Sequence, residues 1–229
     1  MNWIEISKTK DLEAVRQAIG VLDVNERDHR GRTPLMLFLT NGMPIEAIQL
    51  LLEQGADLEA EDRLGDTALQ KAVKFKRKEA IVALLRAGAK LDSPQGILAT
   101  AWNVARGNKE IADLLLGTTG AVRLTLTAEE QAVLDAILYE ESQPEMCAAI
   151  SRLHSPVLLH AVVNSYNWDD GPEPMFAVFG NPASLEITLL DLYDLLDGDY
   201  WLELDEAEVG TEEMSRFRQL AVELKERLK

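Results

Sequence analysis

The stretch NSYNWDDGPEP, Asn164 to Pro174, holds the residues best suited to chemistry. It sets Tyr166 and Trp168 beside the adjacent carboxylates Asp169 and Asp170. Paired carboxylates next to a Trp can serve as a catalytic acid and base, as a metal seat, or as a capped turn that anchors a partner. Adjacent residues point in different directions, so Asp169 and Asp170 do not form a dyad sharing one proton. One of them can cap the following helix. The chain has three histidines and one cysteine. His154 and His160 lie six apart across the Ser155-Pro156 break. Cys147 and His154 lie seven apart, within reach of one helix face, but a helical Cys flanked by Met146 and Ala148 reads as a buried core residue. An enzyme built here would draw on Tyr166–Gly171 together with His160. Asp191, Asp194 and Asp197 recur every three residues along one helix face, followed by Asp199. A calcium loop requires alternating oxygen ligands and a closing Glu, and that spacing is absent. No phosphate-cradling glycine loop, nucleophile elbow or zinc-protease motif occurs. No catalytic residue, cofactor or metal is expected.

These residues sit in a strongly acidic half of the chain. The 229 residues carry 23 Lys+Arg and 39 Asp+Glu, a net charge of −16. Residues 1–123 hold 17 cations and 17 anions; residues 124–229 hold 6 and 22, so the whole imbalance (6 − 22 = −16) lies in the second half. Between Arg152 and Arg216, 63 consecutive residues contain 14 carboxylates and no Lys or Arg. Such a field repels nucleic acid and anionic membrane and steers basic proteins inward. A hydrophobic fraction of 47% supplies a core, and the scarcity of aromatics, at 6%, beside abundant Ala and Leu favours helices. One cysteine fits a reducing compartment. No secretion signal is read at the N-terminus, and no apolar run approaches the ~18 residues of a membrane helix. A soluble, cytoplasmic protein is expected.

The first half repeats. DHRGRTPL from Asp28 and DRLGDTAL from Asp62 share Asp, Gly, Thr and Leu at a shift of 34 residues. Each leads into a second helical pattern, Ile45–Ala60 and Lys78–Ser93. These blocks resemble ankyrin repeats, whose period is about 33 residues. Thr33-Pro34-Leu35, Thr67-Ala68-Leu69, Gly55-Ala56-Asp57 and Gly88-Ala89 carry the resemblance, with Met36 and Gln70 where the family usually has His. Leu12–Ile19 reads as part of a truncated N-terminal cap. Ile97–Ala105 and Gly107–Gly117 read as a third repeat with a shortened tip at Ser93–Gly96. The expected boundaries are a cap over 1–27, repeats over 28–61, 62–91 and 92–120, and a second domain over 121–229. The resemblance implies a stacked, non-enzymatic binding module. It implies exposed tips at His29, Arg30, Arg63 and Leu64. It also implies a concave row at Leu37, Lys71 and, with the third repeat aligned on Gly107, Trp102, although Trp102 could instead fill the core.

After the linker Ala121–Thr127, capping signals predict five or six helices. Thr127 with Glu130 forms a capping box, Pro144 and Ser155-Pro156 open two helices, and Ser184 and Thr211 cap two more. Met214, Phe217, Leu220, Ala221, Leu224 and Leu228 keep helical spacing on one face. Trp201–Leu204 could pair as a short edge strand. Asn164–Gly171 with Pro174, Asn181-Pro182 and LEITLLDLYDLLDG resemble an uncharacterised bacterial domain family of unknown function. That resemblance implies no reaction. Similar domains occur near toxin–immunity loci.

The predicted architecture is therefore all-α: an ankyrin-type helical solenoid followed by a compact acidic helical domain. The predicted role is protein binding, as an inhibitor or immunity protein that covers a basic toxin or enzyme, or else as a general ankyrin adaptor. Candidate contacts in the second half are Trp168, Asp169, Asp170, Asp191, Asp194, Asp197, Asp199, Tyr200 and Trp201. Trp168 is expected to pack inward.

Overall fold

The computed structural model describes residues 2–205 and 208–229. It divides into two compact units, Met1–Ala121 and Val122–Lys229. Among the described residues every regular element is helical, and no helix is long and apolar enough to cross a membrane.

The first unit is four helix pairs: α1 (Trp3–Thr9) with α2 (Leu12–Ile19), α3 (Pro34–Asn41) with α4 (Ile45–Glu53), α5 (Ala68–Lys74) with α6 (Lys78–Arg86), and α7 (Ala101–Ala105) with α8 (Lys109–Ala112). Three threonines set the register. Thr33, Thr67 and Thr100 each occupy an N-cap, and their side chains accept from the backbone N–H of Met36, Gln70 and Asn103 respectively. Each cap satisfies one of the free amides at a helix start. Gln70 adds two bonds: it accepts from the Thr67 N–H at 2.8 Å and donates to the Ala99 carbonyl of the next repeat at 3.0 Å.

Stacking buries the flank that each pair leaves open. α1 packs on α3, α3 on α5 and α5 on α7, while α2 packs on α4 and α4 on α6. Side chains tie each repeat to the backbone of the next. Asn25 accepts from the Asp57 N–H (2.7 Å) and Glu59 from the Lys90 N–H (2.9 Å), and within the third repeat Asp92 accepts from the Thr119 N–H (2.7 Å). The tips touch directly, with the Arg63 N–H donating to the Arg30 carbonyl at 3.0 Å. Gly31 permits this approach: its φ is +76°, and a Cβ there would lie 3.3 Å from the Arg63 nitrogen.

Several expectations for this unit are corrected. The N-terminal cap is a complete helix pair, because α1 supplies the missing helix. Its Trp3 packs edge-on against Phe38 at 5.8 Å and donates to the Asp23 carbonyl at 2.8 Å. The third tip is not shortened, since Gly88 to Thr100 spans the same twelve residues as Gly55 to Thr67, and a 3-10 turn over Ile97–Ala99 fills its last part. Trp102 stands two residues after Thr100, as Leu35 follows Thr33 and Leu69 follows Thr67, and like them it is buried in the core. Val104 takes the position of Leu37 and Lys71.

Leu37 and Lys71 are buried as well. The Lys71 ammonium lies 2.6 Å from Asp62 and 2.7 Å from Asp66, and Lys74 adds a contact of 2.6 Å to Asp66. Asp62 also accepts from the N–H groups of Leu64 and Asp66. Burial pushes the Asp62 carboxyl up, but the bonds from Lys71 and those two amides outweigh it and hold the carboxyl below its ordinary 3.8. Burial lowers Lys71, and its two aspartates overcome that and raise it above 10.5.

The second unit holds α9 (Ala128–Leu138), α10 (Gln143–Ser151), α11 (Pro156–Ser165), α12 (Glu173–Gly180), α13 (Glu186–Leu195), α14 (Gly198–Glu203) and α15 (Glu212–Arg227). Thr127 and Glu130 form the expected capping box, and Ser155 and Thr211 cap α11 and α15. α11 lies centrally, packing on α9, α12 and α13, while α15 closes over α13 and α14. Leu159, Val162, Met175, Val178, Leu192, Leu220, Ala221 and Leu224 meet in one core. Asn181 is buried and donates to the Ile150 and Leu153 carbonyls at 3.0 Å each, closing the end of α10.

Two expectations change in this unit. Ser184 does not cap α13. Its hydroxyl donates to the Val178 carbonyl at 2.7 Å, and the N-cap residue is Leu185. Trp201–Leu204 is not a strand, because the chain turns at Asp197 (φ 56°) and resumes as α14. Gly198 starts that helix, and a Cβ there would overlap the Tyr193 ring.

Lys71→Met leaves Asp62 buried without its cation and is expected to cost about 3 kcal/mol at neutral pH, measured by urea unfolding of the full chain. The depressed Asp62 pKa contributes stability above 3.8, so the gap between variant and parent shrinks as pH falls through the carboxylate range. Gly198→Ala is expected to cost about 1–3 kcal/mol in the same assay through the clash with Tyr193.

Candidate interaction surfaces

The YNWDDG segment follows α11. Tyr166 ends that helix, and Trp168–Asp170 forms a 3-10 turn in which the Asn167 side chain accepts from the Asp169 N–H at 3.4 Å. The turn is locked from inside, where the buried Tyr166 hydroxyl donates to the Gly171 carbonyl at 2.7 Å. Burial, then the neighbouring Asp170, Cys147 and Glu173, push the Tyr166 pKa up, so the phenol stays a donor. Neither aspartate caps α12, whose N-cap is Pro172 with no side-chain bond. Asp170 instead accepts from Asn167 at 3.2 Å. Trp168 is half-buried and leans on the core between Tyr166 (5.8 Å) and Phe217 (6.2 Å).

Asp169 and Asp170 are exposed and line a groove of about 550 Å³ with Gln143, Gly171, Glu173, Glu212, Glu213 and Arg216. Five carboxylates thus face one cation. Arg216 lies 3.5 Å from Glu173 and 4.1 Å over the Phe176 ring. A wide, polar, charged groove of this kind suits a cationic side chain or peptide better than an apolar ligand.

The expected acidic helix face divides. Asp194, Asp197 and Asp199 are exposed. Asp191 is buried and is no surface contact: it lies 3.5 Å from His160 Nε2 and 3.4 Å from Asn164 Nδ2, while His160 Nδ1 lies 3.2 Å from Thr188 Oγ1. This cluster joins α11 to α13 and satisfies buried polar groups. Thr188 is fully buried, which closes its hydroxyl to any substrate. Asp199 accepts from the Tyr193 hydroxyl at 2.5 Å and from Lys225 at 3.2 Å, and those bonds lower its pKa. Among the described residues no group of three His, Cys, Asp or Glu side chains could hold a metal ion.

In the first unit His29, Arg30, Arg63 and Leu64 are exposed at their tips, Leu64 at 83%. A groove of about 510 Å³ separates the second and third tips, lined among others by Leu64, Gln70, Lys90 and Asp92. The third tip adds an exposed Leu98 in its 3-10 turn.

Comparison with known proteins agrees with this division. Residues 3–95 match the family model described as "Ankyrin repeats (3 copies)", and residues 154–229 match "Domain of unknown function (DUF4274)". "Ankyrin repeat domain-containing protein 13B" of Mus musculus and that of Homo sapiens are each 40% identical over 80 residues, covering 35% of this chain and 12% of each relative. The chain therefore carries ankyrin repeats and a domain similar to that uncharacterised family, while matching about an eighth of the curated relatives' length.

Tyr166→Phe removes the bond that closes the YNWDDG turn. It is expected to cost about 1 kcal/mol in urea unfolding, with a change in Trp emission if Trp168 loosens.

Proposed function

We propose that this protein is a non-enzymatic inhibitor of the immunity-protein type, whose acidic unit captures a basic toxin or enzyme while the ankyrin tips add contacts. The ankyrin repeats indicate a protein–protein interaction role. The observation that carries the finer reading is the segregation of charge. Residues 124–229 hold the entire −16, and five carboxylates converge on one groove beside the YNWDDG turn. Such a field speeds capture of a cationic surface, and masking that surface blocks an active site that works on an anionic substrate. The exposed tips His29, Arg30, Arg63 and Leu64 support a second reading, an adaptor that binds through the repeats alone.

The test starts from a partner captured by the full chain and identified by mass spectrometry. A basic partner is expected, inhibited at equimolar ratio, with an association rate that falls about tenfold between roughly 50 and 300 mM salt. The variant Asp169→Asn/Asp170→Asn/Glu212→Gln/Glu213→Gln is expected to lose most of that salt dependence. An association rate unchanged by salt and by the four substitutions would favour the adaptor.

A further inference from the structure

Five aromatic rings run in sequence through the second unit. Tyr200, 50% exposed, meets Trp201 edge-on at 5.3 Å. Trp201 stacks on Phe217 at 5.2 Å with 9° between the planes. Phe217 meets Trp168 at 6.2 Å, and Trp168 meets the buried Tyr166 at 5.8 Å. Trp201, Phe217 and Trp168 are half-buried, so the face they form on α14, α15 and the YNWDDG turn stays partly open. The Trp201 indole N–H is already used on the Leu196 carbonyl at 3.0 Å. The part of that ring left exposed therefore offers no free donor.

The rest of α15 shows how this domain treats such surface. Arg216 sits 4.1 Å over Phe176 beside Glu173. Lys225 sits 4.9 Å over Tyr193 beside Asp199. Arg227 sits 5.2 Å over Phe179 and donates to its carbonyl at 2.7 Å. Three cations of one helix each rest on a ring, two of them with a carboxylate alongside. Among the described residues no Lys or Arg lies over Tyr200, Trp201, Phe217 or Trp168, although carboxylates stand near each end of that series in the sequence. Asp169 and Asp170 follow Trp168 directly, Glu213 lies one helical turn before Phe217, and Glu203 follows Trp201 by two residues.

We infer that the Trp168–Phe217–Trp201–Tyr200 face is the anchor of the second unit and takes arginine side chains from a basic segment of a partner protein. This rests on the reading of the acidic unit as the capture element and names the chemistry it recognises. A guanidinium is planar and weakly hydrated, so it stacks on an open indole or phenyl face while its edge pairs with a carboxylate. A lysine ammonium of equal charge stacks less well and loses more hydration. The aromatic face therefore adds selectivity for arginine to an attraction that charge alone would give to both.

The experiment titrates the isotope-labelled full chain with two synthetic peptides of equal length and charge, one arginine-rich and one lysine-rich, and follows the four Trp indole N–H resonances. The arginine peptide is expected to bind about fivefold more tightly. It is expected to shift the indoles of Trp168 and Trp201, leaving those of Trp3 and Trp102, both buried in the first unit, in place. Tyr200→Ala, at the exposed end of the series, is expected to remove most of the arginine preference without unfolding the domain. If both peptides bind equally and neither moves the Trp168 or Trp201 indole, the aromatic anchor is overturned while capture by charge stands. If neither peptide binds, the anchor and the capture reading fall together.

Discussion

A two-helix unit with apolar flanks cannot bury both flanks by itself, and the whole first half of the chain follows from that constraint. Each pair is completed only by the next, so the register between pairs has to be held closely. Thr33, Thr67 and Thr100 hold it within each repeat by starting the first helix at the same point. Asn25 and Glu59 hold it between repeats by accepting from a backbone amide of the repeat that follows, and Asp92 makes the matching bond within the third. The buried Lys71 with Asp62 and Asp66 belongs to the same scheme, because it fixes a tip turn to the first helix of its own repeat. At the preceding tip Asp28 closes the turn on itself through Arg32, which contacts it at 2.7 Å.

The second unit solves a different problem. It must close a helical core under a large excess of negative charge, and like charges at short range oppose compaction. Its core is largely apolar and, among the described residues, its carboxylates stay at or near the surface apart from Asp191, which meets His160 and Asn164. Three of the four cations of α15, Arg216, Lys225 and Arg227, rest on aromatic faces and bind that helix to α12 and α13. This leaves the YNWDDG turn and the start of α15 as a negative groove with one internal cation. Stability and an outward acidic face are thus separated in space. That separation lets a domain this acidic stay folded while its carboxylates remain exposed.

Local chemistry was legible wherever a residue acts on its immediate neighbours. Thr33 and Thr67, the capping box at Thr127 and Glu130, and the tip glycines Gly31 and Gly65 act within four residues and stand where spacing placed them, whereas Thr100, read inside a helix over Ile97–Ala105, is the N-cap of a shorter one. Ser184 shows the limit. Its type suits an N-cap, yet its hydroxyl found the Val178 carbonyl across a turn, a competitor invisible in the helix pattern. The YNWDDG aspartates were legible as exposed charge but not as lining for a groove, since Glu212 and Glu213 join them from more than 40 residues away.

The sequence by itself determined the repeat, its period, the all-helical character of both halves and the confinement of charge to the second, because these depend on residue type and spacing alone. Only the tertiary structure decided which side chains remain available to a partner. Trp102 aligned on Gly107 reads as an exposed hot spot; aligned on its cap Thr100 it is core. Lys71 and Asp191 are ionisable side chains at helical positions that sequence reads as open, and both are buried because oppositely charged or hydrogen-bonding groups from elsewhere in the fold meet them there. A helix pattern specifies one face relative to another. What covers each face depends on the neighbouring helices, and their placement is a property of the packed chain.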